Sequence, residues 1–252
     1  MARIISIHSY RGGTGKSNTS ANLGALLTMR GQRVGIVDTD IMSPGVHVLF
    51  GMTEDPPGPV LNDYLWGKCE IKDATYDVTD KVSPNAKGKL FLVPASVQAN
   101  NIARVLREGY DVGQLNDGFN ALIRAFDLDT LIIDTHPGLN EETLLSIAIS
   151  DILLIVLRPD MQDYQGTGVT VQVARKLSVP LLLLVVNKCP LSLNPDAVRT
   201  RVQEAYNSEV AAVFPHSDEI MTLASAGVFT VRYPDLPVTA TFQRLVDRIL
   251  QQ

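Results

Sequence analysis

The sequence predicts an α/β fold with one mostly parallel sheet and helices on both of its faces. Short apolar runs alternate with segments of helical period along the whole chain. A glycine-rich loop separates the first apolar run from the first helical segment, and two later runs end in aspartate. Alternation of this kind is typical of parallel sheets covered by crossover helices. With 252 residues and 45% hydrophobic content, the chain is expected to form a single domain, 1–252, around one core.

Composition restricts the classes of function. The net charge is −5 and the sequence pI is ≈ 5.4, which disfavours a surface wholly devoted to nucleic acid but allows a local basic patch. Cys69 and Cys189 lie far apart and form no C-x-x-C motif, so we expect no disulfide framework and a reducing, cytoplasmic location. No apolar run approaches the ~20 residues of a membrane span, so we expect a soluble protein.

The first element is a strand predicted over 4–7, followed by the loop Tyr-Arg-Gly-Gly-Thr-Gly-Lys-Ser at 10–17 and a helix over 20–29. Glycines let successive N–H groups point inward, and the helix N-terminus adds partial positive charge, so the turn is suited to phosphate. Lys16 is expected to reach the β and γ oxygens and Ser17 to ligate Mg²⁺. The usual G-x-x-x-x-G-K-[ST] pattern fails at Tyr10, and the cation Arg11 precedes the remaining Gly-Gly-x-Gly-Lys-Ser.

The second strand, predicted over 33–37, ends in Asp38 and Asp40 at the edge where open parallel sheets bind ligands. Two carboxylates two residues apart on an extended segment point the same way. One could therefore act through the Mg²⁺ water shell and the other on the attacking water, although Asp38 as a simple loop cap is an alternative. A dinucleotide fold is disfavoured because Asn18 stands where its G-x-G-x-x-G fingerprint needs the third small residue.

The next section is rich in turns. A short helix is predicted over 61–66, a weak strand or loop over 76–82, a strand over 90–93, and helices over 101–107 and 115–126. A buried strand over 130–134 then ends in Asp134, where P-loop enzymes place a second Mg²⁺-associated carboxylate. Gly138 could bring its N–H to the γ-phosphate. His136 is interpreted as a partly exposed loop histidine without chemistry.

The last third continues the alternation. Strands are predicted over 151–157, 181–186 and 210–214, and helices over 141–149, 163–177 (entered through Gly166 and Gly168), 195–206, 219–226 and 239–250. The second of these strands ends in Asn187, whose amide can pair with adenine N6 and N7, although a turn-forming role is the alternative. Pro190 occupies the aspartate position of N-K-x-D, which favours adenine over guanine. The amphipathic last helix is expected to cover the sheet.

Together these segments resemble the MinD/ParA family of deviant P-loop ATPases, whose loop pattern is x-K-G-G-x-G-K-[ST]. Residues 34–40 resemble its switch I and 131–138 its D-x-P-P-G switch II. Residues 185–188 resemble its adenine-reading strand end, and 213–215 its last strand. Two positions differ from the pattern: the family's signature lysine is Arg11 here, and His136 replaces a proline often found in switch II.

The resemblance implies a Mg²⁺-dependent ATPase that forms an ATP-dependent homodimer, is reset by an activating partner protein, and positions or partitions a cargo. Lys16 and Asp40 would be catalytic, with Asp40 orienting the hydrolytic water and Arg11 reaching the phosphates of the partner subunit. The implied metal residues are Ser17, Asp38 and Asp134, and the implied switch II residues are Pro137 and Gly138. The implied nucleotide-binding residues are Arg11, Gly12, Gly13, Thr14, Gly15, Lys16, Ser17, Asn18, Asn187 and Pro215.

Partners and rival activities follow from the same resemblance. DNA is one surface that the ATP dimer could bind, with Arg199, Arg201, Arg232, Arg244 and Arg248 as candidates. MinD itself carries a membrane-targeting helix beyond the last helix predicted here, and no such helix is expected in this chain. An iron–sulfur or metal-insertion ATPase would need paired cysteines. An ATP-dependent small-molecule ligase on the same fold would show turnover stimulated by its substrate.

Overall fold

In the computed structural model, which describes residues 2–52 and 56–251, the chain forms one eight-stranded sheet. The strands are β1 (Arg3–His8), β2 (Arg33–Asp38), β3 (Tyr76–Asp77), β4 (Lys89–Val93), β5 (Thr130–Asp134), β6 (Ile152–Leu157), β7 (Leu181–Cys189) and β8 (Glu209–Pro215). Their order is β3-β4-β2-β5-β1-β6-β7-β8. Every pairing is parallel except that of the edge strand β3 with β4. The predicted fold class is confirmed.

The helices are α1 (Lys16–Met29), α2 (Val46–Leu49), α3 (Leu61–Leu65), α4 (Thr79–Val82), α5 (Ala99–Glu108), α6 (Val112–Phe126), α7 (Glu141–Ala148), α8 (Met161–Lys176), α9 (Pro195–Tyr206), α10 (Asp218–Leu223), α11 (Phe229–Arg232) and α12 (Pro237–Leu250). Strands β5, β6 and β7 contain long buried apolar runs because both faces of the sheet are covered. Residues of α1, α2, α11 and α12 share one core with the sheet. Residues of α3 and α6 cover β2, β4 and β5 on the opposite face, and those of α7, α8 and α9 cover β6, β7 and β8.

Helix α1 is buried on almost all sides, because it lies between the sheet and helices α2, α11 and α12. Gly24 allows this close approach. A Cβ atom at this position would lie 2.7 Å from Cδ1 of Ile36 on β2. The helix that follows the glycine loop is therefore fixed in the centre of the molecule, and the loop is held at the carboxyl end of β1.

Several boundaries differ from the sequence predictions. Segment 76–82 contains both the short antiparallel strand β3 and helix α4. Helix α8 begins at Met161, capped by the Asp160 side chain, so Gly166 and Gly168 lie inside the helix and do not mark its entry. Packing explains Gly166, because a Cβ atom there would lie 2.1 Å from the Tyr10 ring.

Within the described ranges, no helix combines the length and apolar character that a membrane crossing requires.

Candidate functional site

The carboxyl ends of several strands surround a cavity of ≈ 650 Å³ beside the glycine loop. This is the edge at which open α/β sheets bind ligands. Ten of the sequence-predicted site residues line the cavity: Gly12, Gly13, Gly15, Lys16, Ser17, Asn18, Asp40, Pro137, Asn187 and Pro215. Residues widely separated in sequence are thus brought together around one site.

The loop backbone requires glycine at two positions. Gly13 has φ +73° and Gly15 has φ +104°, a left-handed region that side chains with a Cβ atom rarely adopt. Gly15 also caps the N-terminus of α1, which begins at Lys16. A Cβ atom on Gly15 would lie 2.3 Å from the Asn187 amide nitrogen. The glycines are therefore needed for the path of the loop and for its contact with the end of β7.

Ser17 is joined directly to Asp134. The Ser17 hydroxyl donates to Oδ2 of Asp134 at 2.7 Å, and the Ser20 hydroxyl donates to Oδ1 at 2.7 Å. Burial raises the pKa of the Asp134 carboxyl to about 6. The Ser17 hydroxyl at the first turn of α1 and the desolvated Asp134 carboxylate at the end of β5 form an all-oxygen donor set, which suits a hard divalent cation such as Mg²⁺. These two predicted metal residues therefore fit the ion.

Asp38 faces the backbone of the loop that follows β2. It is fully buried and lies opposite Asp134 in the parallel register of β2 and β5. Its Oδ2 accepts hydrogen bonds from the N–H groups of Gly45 at 3.0 Å and Val46 at 3.1 Å, and its Oδ1 from that of Asp40 at 3.2 Å. Burial, and then the charge of Asp134, raise its pKa well above the usual value. The observed bonds agree with the loop-cap alternative, and a role toward the metal stays a prediction.

Asp40 lines the cavity and makes a contact that the sequence analysis missed. Its Oδ1 lies 2.7 Å from Nδ1 of His136, and this hydrogen bond raises the pKa of the histidine. The Asp40 side chain is 11% exposed and the His136 side chain 22% exposed. This contact differs from the sequence interpretation of His136 as a loop residue without chemistry. The sequence does contain one signal for this contact, because His136 occupies a position of the related motif where proline is common. Proline has no side-chain hydrogen-bond donor, whereas histidine has one.

Arg11 makes its contacts within its own chain. Its Nη1 lies 3.4 Å from Asp163 and 3.7 Å from Asp160, at the N-terminus of α8. Arg158 pairs with the same two carboxylates. The Arg11 side chain is 38% exposed, so these contacts are partly screened by solvent. Reaching a second subunit, as the family resemblance implies, would require Arg11 to leave them.

The end of β7 is fastened to the glycine loop. The Asn187 amide donates to the Thr14 carbonyl oxygen at 2.8 Å, and the Lys188 ammonium donates to the Gly13 carbonyl oxygen at 2.8 Å. The Asn187 amide oxygen accepts the N–H of Lys188 at 2.9 Å. In this structure both polar atoms of the Asn187 side chain therefore have partners, the nitrogen in the glycine loop and the oxygen at Lys188, and adenine recognition by this residue stays a prediction.

The second switch segment borders the same cavity. Pro137 lines it, whereas Gly138, with φ +86°, donates its N–H to the Ser9 carbonyl oxygen at 3.1 Å. A contact between that N–H and a γ-phosphate, as predicted, would require this bond to break. The γ-phosphate role of Gly138 therefore depends on a movement of the segment.

The five arginines proposed for DNA do not share one face of the sheet. Arg199 and Arg201 lie on α9, which packs on the face opposite α12, where Arg244 and Arg248 lie. Several of them already have partners in the chain. Arg199 donates to the Val210 carbonyl oxygen, and Arg248 makes a two-pronged contact with Glu209 at 2.7 and 2.8 Å. These five arginines therefore do not form a single basic surface.

Comparison with known proteins gives a consistent picture. The ParA family model, described as NUBPL iron-transfer P-loop NTPase, matches residues 1–250. An uncharacterised ATP-binding protein of Methanocaldococcus jannaschii is 27% identical over 251 residues, which cover 99% of this chain and 88% of that protein. An iron–sulfur cluster carrier protein of Pseudomonas fragi is 28% identical, covering 96% and 83%.

A solved structure shows the same architecture. The septum site-determining protein MinD of Pyrococcus horikoshii, complexed with Mg-ADP, superposes with a TM-score of 0.79 at 22% identity. The match covers 99% of this chain and 96% of that one. At this level of identity the likeness establishes a common fold.

Proposed function

The chain belongs to the ParA family of P-loop NTPases, and from this premise we propose that it is a Mg²⁺-dependent ATPase whose ATP-bound form is a homodimer. The dimer would bind a cargo or partner, and an activating protein would reset it by stimulating hydrolysis. The proposal includes the positioning or partitioning of that cargo. Little covalent chemistry is required of the protein, so positioning and charge neutralisation would dominate the rate.

One observation carries this proposal: the glycine loop, Lys16 and Ser17 border the same cavity as Asp40, and Ser17 is hydrogen-bonded to the buried Asp134. Lys16 is 6% exposed and begins α1, so its ammonium and the helix N-terminus place positive charge where a triphosphate would bind. The loop thus supports nucleotide binding, and Asp40 supplies a carboxylate on the same side. A phosphoryl-transfer site needs both of these features.

Ser17 and Asp134 are the residues that would hold Mg²⁺. When bound, the ion would neutralise charge on the terminal phosphates during transfer. The chain's own contribution is to present the Ser17 hydroxyl at the first turn of α1 and to keep the Asp134 carboxylate oriented between two hydroxyl donors. Asp40 would orient the attacking water, because it lines the cavity together with Lys16 and Ser17.

Steady-state hydrolysis tests the proposal. Wild type with MgATP should release phosphate slowly, Lys16→Ala should lose turnover through weakened binding, and Asp40→Ala should bind ATP but lower kcat by ~10²-fold. Asp235, an exposed carboxylate, provides the matched control, and Asp235→Ala should behave as wild type. Turnover in Asp40→Ala equal to that of wild type would overturn the role given to Asp40.

Sedimentation with and without ATP tests the dimer. Asp40→Ala, which should retain ATP, is expected to sediment as a dimer with MgATP and as a monomer with MgADP. Adding Arg11→Ala should abolish the dimer, whereas Arg11→Lys should preserve it, because a cation is required at this position. Arg158→Ala is the control, since Arg158 pairs with the same Asp160 and Asp163. A dimer that survives Arg11→Ala would remove the proposed contact between subunits.

Iron transfer is a second candidate, favoured by the description of the matched family and by the carrier relative. Against it, Cys189 is buried in the core beneath α8 and α9, whereas Cys69 packs against the core beneath α6. One chain therefore does not bring its two thiols together. Anaerobic reconstitution with iron and sulfide should leave no cluster absorbance above that of a Cys69→Ser variant. A cluster lost in that variant would favour iron transfer over the switch.

A small-molecule ligase is separated from the switch by what stimulates turnover. The proposed switch should be accelerated by a protein that is captured by the ATP-locked Asp40→Ala form. A ligase would instead be accelerated by a small acceptor molecule and would transfer or activate a group on it. Stimulation by such an acceptor, with none by captured protein, would replace the switch with the ligase.

A further inference from the structure

The contact between Asp40 and His136 joins two segments that both border the cavity. Asp40 follows β2 and His136 follows β5, two neighbouring strands whose last residues, Asp38 and Asp134, are in register. Nδ1 of His136 lies 2.7 Å from Oδ1 of Asp40. The N–H of Ser43 reaches the same Oδ1 at 3.2 Å. Within the described residues, both hydrogen bonds to this carboxylate end on Oδ1, which leaves Oδ2 free to face the cavity.

The histidine is itself firmly anchored. Thr135, the residue before it, donates its N–H to the Ile7 carbonyl oxygen at 3.2 Å and its hydroxyl to the same oxygen at 3.1 Å. Pro137 follows it and restricts the backbone on the other side. The ring therefore extends from a segment tied to the central strand β1. Asp40 lies on a loop, and a carboxylate on a loop needs support from a rigid element to keep a productive orientation.

We propose that His136 is a positioning residue for the hydrolysis reaction, holding the Asp40 carboxylate by Oδ1 so that Oδ2 is presented to the attacking water. This inference rests on the proposed ATPase function and adds a residue to it. His136 would touch neither nucleotide nor water, and it would act through Asp40 alone. A proline at position 136 could not make this bond, because it has no side-chain donor.

Substitutions at position 136 separate positioning from general disturbance of the loop. Asparagine places an amide nitrogen close to where Nδ1 of the imidazole lies, whereas glutamine places its amide farther out, near Nε2. His136→Ala should lower kcat by ~10-fold with KM changed by less than ~2-fold, because an orientation needed in the transition state is lost. His136→Asn should recover most of this loss, and His136→Gln should not.

The combination with Asp40→Ala tests whether the histidine acts through the carboxylate. In single-turnover measurements with radiolabelled ATP, the double variant His136→Ala with Asp40→Ala should be no slower than Asp40→Ala alone. Multiplying effects would overturn the inference, because they would show an independent role for the ring. Equal rates for His136→Asn and His136→Ala would also overturn it.

Turnover of wild type and of Asp40→Ala is measured first. These two rates test the ATPase function separately from the positioning role of His136. Wild type without ATP turnover would overturn the proposed function and, with it, this inference. Turnover that is lost in Asp40→Ala but unchanged in His136→Ala would overturn the positioning role alone and leave the ATPase standing. MgATP binding measured for each variant shows that a lower rate does not come from a misfolded site.

Discussion

A buried histidine, His8, ends the central strand β1. His8 is fully buried, and its Nδ1 lies 2.7 Å from the Thr135 hydroxyl oxygen. Its Nε2 has no hydrogen-bond partner among the described residues. Burial, and then the charge of Lys16, lower its pKa from 6.5 to about 3. The folded protein therefore holds this ring neutral at pH values where the unfolded chain would protonate it.

This histidine should make folding stability fall in mild acid. Because its folded pKa is depressed, its contribution is fully present above pH ~6.5 and is lost as the pH decreases toward ~3. Between pH 7 and pH 5 the free energy of unfolding should decrease by ~2 kcal/mol more in wild type than in His8→Asn, which lacks the titrating imidazole at position 8. Urea unfolding of both proteins at the two pH values measures the difference. Parallel losses in the two proteins would show that His8 is not responsible.

Single residues also show how far the sequence could predict the site. Gly13, Gly15, Lys16 and Ser17 follow a local pattern, and local patterns are visible in sequence. The contact between Asp40 and His136 joins residues 96 positions apart, and nothing in either local pattern specifies it. Its only trace was a side chain with a donor at a position where the related motif has proline.

Helix α8 shows, at the scale of elements, why helical period alone gave wrong boundaries. The helix carries Gly166 and Gly168, and glycine is typical of loops and helix ends. Packing overrides this preference. Gly166 lies under Tyr10 at the start of the glycine loop, where a Cβ atom would be 2.1 Å from Cδ1 and 2.7 Å from Cβ of the tyrosine. A Cβ atom on Gly168 would meet only Cε1 of Tyr206, at an ordinary 3.7 Å.

These two glycines provide a matched pair of substitutions in one helix. Gly168→Ala should raise the free energy of unfolding by ~0.5–1 kcal/mol, because alanine is the better helix former and has room. Gly166→Ala should lower it by ~1–3 kcal/mol, because Tyr10 must be displaced. Denaturant unfolding of the two variants decides the matter, and a stabilising Gly166→Ala would contradict the packing described here.

The strand ends were predicted better than their contacts. The sequence correctly places strands that end at Asp38 and Asp134, because each follows an apolar run, whereas β7 continues through Asn187 to Cys189. It does not show that Asn187 holds the Thr14 carbonyl oxygen with its amide. That bond depends on a strand order in which β7 lies beyond β6, two strands from β1. Strand order is a property of the assembled sheet and is absent from any one segment.

The sheet topology brings the ends of strands that are distant in sequence to one edge of the molecule. The central strand β1 lies between β5 and β6, and β2 lies on the far side of β5. The parallel arrangement therefore gathers the glycine loop, Asp40, Asp134 and Asn187 around a single site. Alternation of strands and helices predicted this class of sheet, because few other architectures cover both faces of buried parallel strands. The pairing of Arg11 with Asp160 and Asp163 within one chain was not predictable, since it depends on how α8 meets the loop.

Calorimetric titration with MgATP tests the central claim, which is that the glycine loop and Lys16 bind the phosphates of ATP. Wild type should bind one MgATP per chain with measurable heat. Lys16→Ala should weaken that binding by ~10–100-fold, as expected for losing a hydrogen bond to a charged group. Lys72, an exposed lysine paired with Glu70, provides the control, and Lys72→Ala should bind as wild type does. Absence of heat in wild type, or unchanged heat in Lys16→Ala, would contradict the account.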